Sequence, residues 1–381
     1  MTVQVRKVET PQDEKAFFDF PWTLYKDDPK WVPPLVSMRQ HLFDKKHNPA
    51  WEYMEGDFFA AWQGDKIVGT IAAFVNRRHN EYNEENIAWF GTFETVNDPQ
   101  VAQALLDTAL AWAKERGYTA LRGPQSFTTH EEVGVLVENF SQPILLMSYN
   151  PPYYDDFLEK AGFQKAMDVL SIYFDRVTVN RDKGTGLAMM EKLVPRAMER
   201  SHITVRPINM RRKMAEFQIF REIYDSAWEK NWSFVPLTDK ELDSTIKNLG
   251  DFVEPKLAFF AQVNGEPAGF AMAVPDLNQS LHAAYPRPGV PELWSMAQVG
   301  WHWKVRNAIT GARLALMGVK EQYRNRGVEL AMFYSLIQAM LPSKYAWLDA
   351  SWILETNPLI DIAKKCGGDI YKRHRFYEKS L

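Results

Sequence analysis

The 381-residue chain is long enough for two domains with full cores. At 46% hydrophobic and 24% charged residues it is globular rather than disordered, and a net charge of −3 supplies no general basic field for nucleic acid, so any anion binding has to be local. The lone Cys366 excludes an intramolecular disulfide and a cysteine metal cluster, and the absence of a signal-peptide core or a bilayer-length apolar run gives the expectation of a cytoplasmic protein.

Residues 3–8 alternate like a short strand, and Thr10-Pro11-Gln12-Asp13 carries the capping pattern of a helix start. A hairpin follows, Asp57–Gln63 and Lys66–Val75 about a Gly64-Asp65 turn. A strand from Ile87 to Val96 ends at Asn97-Asp98-Pro99, which opens a helix from Gln100 to Arg116. Strands are predicted at 119–123, near Ile144–Met147 and at Val169–Phe174, with a polar loop holding His130, Glu131 and Glu132 between the first two.

Asn180–Gly186 reads as a connection, after which the order repeats. Helices are predicted at Leu187–Arg200 and about Met210–Lys230, with a strand at 203–208 between them and a capping box at Thr238–Glu241 after them. A second hairpin then turns at Asn264-Gly265. Phe58-Phe59-Ala60 matches Phe259-Phe260-Ala261, and Gly69 matches Gly269, so the chain is an internal duplication with an offset near half its length.

The copies diverge after their central strands. In the second, the run Leu314–Val319 leads into Lys320-Glu321-Gln322-Tyr323-Arg324-Asn325-Arg326-Gly327-Val328 and then a helical pattern. Backbone N–H groups at a helix start lack internal partners and carry the positive end of the macrodipole, so with Arg324 and Arg326 beside them they suit a diphosphate. The first copy has Val96-Asn97-Asp98-Pro99 at that point, acidic and with a proline that lacks an N–H, which is unfit for an anion. One ligand site per chain is expected.

This pattern resembles the GNAT acyltransferase superfamily, duplicated in tandem. Arg324-Asn325-Arg326-Gly327-Val328-Glu329 is similar to the family's pyrophosphate loop in its arginine and first glycine, and departs from it at Glu329, where a small residue is usual. The segment Ser351-Trp352-Ile353-Leu354-Glu355-Thr356-Asn357, with Tyr371–Lys379, resembles a bacterial subgroup of YghO-like and ceramide-synthase-type N-acyltransferases. The resemblance implies an α/β fold of two tandem GNAT-like mixed-sheet domains with flanking helices: residues 1–180 without a cofactor site, and residues 181–381 binding acetyl-CoA or a longer acyl-CoA. Its implied cofactor-binding residues are Met317, Val319, Arg324, Asn325, Arg326, Gly327, Val328 and Asn357, with a backbone N–H near Met317–Val319 polarising the thioester.

Acyl transfer to an amine also needs a base for the amine and an acid for the thiolate. Glu355 stands just beyond a strand end, and Asp349 shares its face six residues earlier. His130 and Glu132 form the densest titratable loop cluster. Ala363 or Lys364 falls where the family places its acidic tyrosine, which leaves Tyr371 and Tyr377 as candidates. The insertion at 276–306 reads as a packing arm, a substrate lid, or an interfacial patch for a lipid amine. His282 and His302 lack metal-ligand spacing, and no metal is expected. The expected partner is a small-molecule or lipid amine, without nucleic acid or a transmembrane segment and with peripheral membrane contact left open. The alternatives are an acyl-CoA sensor or scaffold without turnover, and a transferase using aminoacyl-tRNA.

Overall fold

The computed structural model of the chain describes residues 2–127, 132–176, 186–241, 243 and 253–381. Its strands are β1 (Val3–Lys7), β2 (Met54–Gln63), β3 (Lys66–Asn76), β4 (Ile87–Thr95), β5 (Ala120–Gly123), β6 (Val135–Glu138) and β7 (Gln164–Asp175). There follow β8 (Ile203–Pro207), β9 (Ala258–Val263), β10 (Glu266–Pro275), β11 (Gly311–Val319), β12 (Trp347–Leu354) and β13 (Asp369–Ser380).

Packing divides the chain into unit 1 (Met1–Val169, Leu277–Ala308 and Lys372–Leu381) and unit 2 (Leu170–Asp276 and Ile309–Tyr371). The expected boundary at 180 falls on residues outside those described. The insertion and the last ten residues pack with unit 1, an exchange that a linear repeat does not reveal.

Unit 1 orders its strands β1-β2-β3-β4-β5-β13, with β6 also on β13, and unit 2 orders its own β7-β12-β11-β10-β9-β8. The two sheets are built alike. Both hairpins form, the second about Asn264 and Gly265 at φ 53° and 86°, the left-handed region those residue types tolerate. In each unit the hairpin's second strand pairs antiparallel with the central strand, β4 or β11, which pairs parallel with the next. The registers agree at the matched glycines, Gly69 facing Thr95 and Gly269 facing Val319, and each ladder slips once nearby, at Thr70/Ala72 and, two residues further along, at Met272/Ala273. The β-bulge turns the central strand away from its parallel neighbour. Accordingly β4 is paired with β5 only over Ile87–Trp89, and β11 with β12 only over Gly311–Leu314, so each unit opens a V between two parallel strands.

The helix Pro99–Glu115 buries Val101, Ala102, Leu105, Leu106, Ala109, Trp112 and Ala113, a stripe at helical spacing packed into the unit 1 core. In unit 2 the helix Val328–Met340 buries Val328, Ala331, Met332, Leu336 and Ile337 in the same manner. One expectation fails: Ile144–Met147 is a turn closed by Met147 N–H to Ile144 O at 3.0 Å, not a strand. The ladder place is taken by β6, whose Val135, Leu136 and Glu138 pair with Arg375, His374 and Arg373 of β13.

Candidate functional site

In unit 2 the V between β11 and β12 leads to the expected anion loop. Lys320 N–H bonds Ala268 O on the β10 side, and N–H groups alternate sides along a strand. Those of Val319 and Met317 therefore face the V, beyond the last β12 pair. The loop runs eight residues, Lys320 to Gly327, before the helix Val328–Met340. Asn325 (φ 60°) and Gly327 (φ 88°) take left-handed conformations that bring the chain abruptly into the helix, and a Cβ added at Gly327 would meet nothing within 4 Å. No side chain caps this helix, so its first N–H groups have no partner from the chain. Arg326 is exposed beside them, its guanidinium 5.9 Å from the Tyr323 ring. These residues fit a diphosphate.

Arg324 is placed differently from expectation. Its Nε donates to Val319 O at 3.2 Å and its Nη2 to Ala227 O at 2.6 Å, so it fastens the loop to the end of β11 and to the helix Lys213–Trp228. Glu329 sits in the first helical turn, half-buried. Asn357 accepts from Leu359 N–H at 2.9 Å and caps the helix Leu359–Lys365.

At the closed end of the V lies a buried polar network. Asp349, on β12, is fully buried and accepts hydrogen bonds from the Ser351 hydroxyl and, at 2.9 Å, from Tyr371 OH. Arg313, directly across the ladder from Asp349, donates from Nε to Ser351 Oγ at 3.1 Å and lies over the Trp352 ring at 4.9 Å. Burial pushes the Tyr371 phenol far up and the adjacent Asp349 carboxylate adds to it, so Tyr371 stays protonated. Burial lowers the Arg313 pKa, against the pull of Asp349, Tyr371 and Asp276. Asp349 therefore orders the strands where the V begins. Glu355, half-buried in the turn after β12, is the carboxylate at the open end.

Tyr377 and Glu132 belong to unit 1. Tyr377 is 1% exposed in the unit 1 core, its hydroxyl bonded to Asp155, which makes it a packing residue. Glu132 belongs to unit 1, where its backbone O accepts from Ser126 N–H at 2.9 Å and its carboxylate faces Arg39. His130 lies outside the described residues. No group of three or more His, Cys, Asp or Glu among the described residues is arranged to hold a metal ion.

Unit 1 carries a polar centre that the sequence reading missed. By ladder register Glu94 on β4 corresponds to Gly318 on β11. Its Oε2 accepts from Tyr25 OH at 2.6 Å and Tyr154 OH at 2.8 Å, and Thr95 N–H donates to the same Tyr154 oxygen at 2.8 Å. Burial raises the Glu94 pKa to about 7, outweighing the two tyrosine hydrogen bonds and Arg39. Arg39 Nε and Nη2 are buried and have no hydrogen-bond partner among the described residues. In unit 2 the corresponding space is closed, since a Cβ at Gly318 would lie 2.4 Å from Trp228. Conversely, the unit 1 helix Pro99–Glu115 begins three residues after β4 with Asp98 accepting from Gln100 N–H at 2.9 Å, so a carboxylate caps its anion-binding end. The sequence trace of this centre is the tyrosine pair Tyr153-Tyr154, which follows Asn150-Pro151-Pro152 at the start of a helix.

Comparison with known proteins agrees with this architecture. The Acetyltransferase (GNAT) family model matches residues 19–123. Protein YghO of Escherichia coli is 33% identical over 384 residues, 99% of this chain and 95% of its own. The bacterial ceramide synthase of Caulobacter vibrioides is 31% identical over 386 residues, 100% and 98% respectively. A tandem GNAT protein from the clavulanic acid biosynthesis pathway superposes with a TM-score of 0.56 at 11% identity, covering 100% of this chain and 98% of that one.

Proposed function

The chain belongs to the GNAT acyltransferases, and from that premise we propose that it transfers an acyl group from acyl-CoA to the amine of a lipid-like acceptor, with unit 2 holding the donor. The observation that carries the reading is the contrast between copies: an uncapped helix N-terminus with Arg326 and Gly327 ends the V in unit 2, whereas Asp98 caps the corresponding helix in unit 1. The lipid-like acceptor is supported by the full-length similarity to a bacterial ceramide synthase.

The N–H groups of Met317 and Val319 would polarise the thioester carbonyl, and the first N–H groups of Val328–Met340 with Arg326 would hold the diphosphate. Glu355 is assigned as the base. The amine nitrogen attacks the carbonyl carbon, its proton passes to Glu355, the C–S bond breaks, and the departing thiolate takes a proton from solvent while Glu355 returns its own to solvent. Asp349, Ser351, Arg313 and Tyr371 act as positioning residues that fix β12 and the start of the V.

The test is thiol release with long-chain acyl-CoA and a long-chain amino alcohol. Arg326→Ala is expected to raise KM for acyl-CoA about tenfold with little change in kcat. Glu355→Gln is expected to lower kcat by about 10²-fold with the donor KM held. Absence of thiol release with every acceptor, alongside saturable CoA binding, would instead support a sensor without turnover, a reading favoured by the absence of tyrosine from the helix Leu359–Lys365.

A further inference from the structure

Eleven large apolar side chains are exposed among the described residues, and five of them stand within one short stretch: Leu293 (81%), Trp294 (60%), Met296 (52%), Trp301 (56%) and Val305 (56%). The stretch is a continuous helical rod, Glu292–Gly300 passing directly into a wider turn at Trp301–Val305. At about 100° per residue Trp294, Trp301 and Val305 fall on one stripe. Ser295 is buried and His302 and Trp303 are half-buried on the other side, so the rod is seated on its unit by a different face.

The rod is held at its start through Glu292, and the insertion that carries it is anchored ahead of it at Asn278 and Pro286. Within unit 1, Ser37 Oγ donates to Glu292 Oε1 at 2.6 Å, Trp22 Nε1 donates to Pro286 O at 2.7 Å, and Asn278 Nδ2 donates to Pro143 O at 3.0 Å. A segment waiting to fold into a core does not need such anchoring, and an exposed apolar stripe costs solubility unless something covers it. The charges identify the cover. Lys304 and Arg306 are exposed at the end of the rod, and its acid, Glu292, is engaged by the Ser37 hydroxyl. Tryptophans flanked by basic side chains suit the boundary between acyl chains and anionic headgroups.

We propose that the rod Glu292–Val305 docks unit 1 on an anionic membrane surface, with Trp294 and Trp301 at the headgroup–acyl boundary and Lys304 and Arg306 on the phosphates. The inference rests on the lipid-like acceptor for its purpose, because such an acceptor resides in a bilayer.

The test is co-sedimentation of the full chain with phosphatidylcholine vesicles with and without equal phosphatidylglycerol, in the absence of any substrate. Wild type is expected to partition to the anionic vesicles with a blue shift of tryptophan emission. The pair Trp294→Ser and Trp301→Ser should lose about tenfold or more of that partitioning, and Lys304→Glu with Arg306→Glu should remove its dependence on anionic lipid. An unchanged melting temperature and unchanged CoA binding would show both variants to be folded. The proposal is overturned if wild type ignores the vesicles, if the tryptophan variant binds them equally, or if wild type instead self-associates and the tryptophan variant is monomeric. Vesicle binding without turnover on lipid amines would refute the acceptor and leave the docking surface standing, and turnover on lipid amines without vesicle binding would do the reverse.

Discussion

Glu94 shows how burial sets the behaviour of a single residue. Its folded pKa of about 7 lies above the ordinary 4.5, so the protonated form favours the native state. The contribution is fully present below pH 4.5, declines as pH rises and is gone above about 7. Glu94→Gln should therefore flatten the stability-versus-pH curve across that window, a change of about 3 kcal/mol in chemical denaturation between its two ends. An identical slope in the variant would show that Glu94 is ionised at little cost. Asp349 is a buried carboxylate that accepts from the Ser351 and Tyr371 hydroxyls. Asp349→Ala would take from the buried Arg313 one of the two carboxylates that act on it, Asp276 being the other, at a cost of about 3 kcal/mol. Tyr371→Phe removes one donor and should cost about 1–3 kcal/mol. If Asp349 only orders the V, Asp349→Asn will lower kcat without moving the pH profile, whereas a shifted profile would make it the base.

Among the elements, the loop Lys320–Gly327 divides its labour between two arginines that look alike in sequence. Arg324→Ala should cut thermal stability by releasing the carbonyls of Val319 and Ala227, whereas Arg326→Ala should weaken acyl-CoA and leave the melting temperature in place. Gly327→Val places a β-branched residue at φ 88° and should cost about 1–2 kcal/mol as well as donor affinity. The hairpins and the glycine turn of this loop were legible because each rests on local chemistry: alternation, Asn-Gly turn preference, and a glycine where the chain must turn left-handed. Ile144–Met147 has the apolar composition of a strand, but an apolar run does not say whether it pairs or packs. The direction of the Arg324 side chain depends on a carbonyl about a hundred residues away, and Glu94 becomes a site only through Tyr25 and Tyr154, which meet it by folding. Those facts are non-local, and no sequence window contains them.

At the scale of the whole molecule, duplication was readable and exchange was not. The repeat suggests two consecutive halves, yet the final strand is split: Asp369–Tyr371 belongs with unit 2, and Lys372–Leu381 with unit 1. Within unit 1 the strand is held by Asp168, 1% exposed, which accepts from Arg373 Nη1 at 2.9 Å and Arg375 Nε at 2.8 Å. Burial alone would raise the Asp168 pKa, but the hydrogen bonds from Arg375, Arg373 and Lys165 outweigh it and hold the carboxyl below its ordinary value. Deleting Lys372–Leu381 should expose β6 and one edge of β5 to limited proteolysis, since β6 loses its strand partner and β5 keeps only β4. The copies differ in their polar centres: unit 1 has the buried Glu94 with Tyr25 and Tyr154, and unit 2 has the uncapped helix start beside Arg326. The central claim is that only unit 2 takes the donor. Calorimetric titration with a non-hydrolysable acyl-CoA tests it most directly: one ligand per chain is expected, weakened about tenfold by Arg326→Ala and unaffected by Asp98→Ala. Two ligands per chain, or one whose affinity follows Asp98 rather than Arg326, would contradict it.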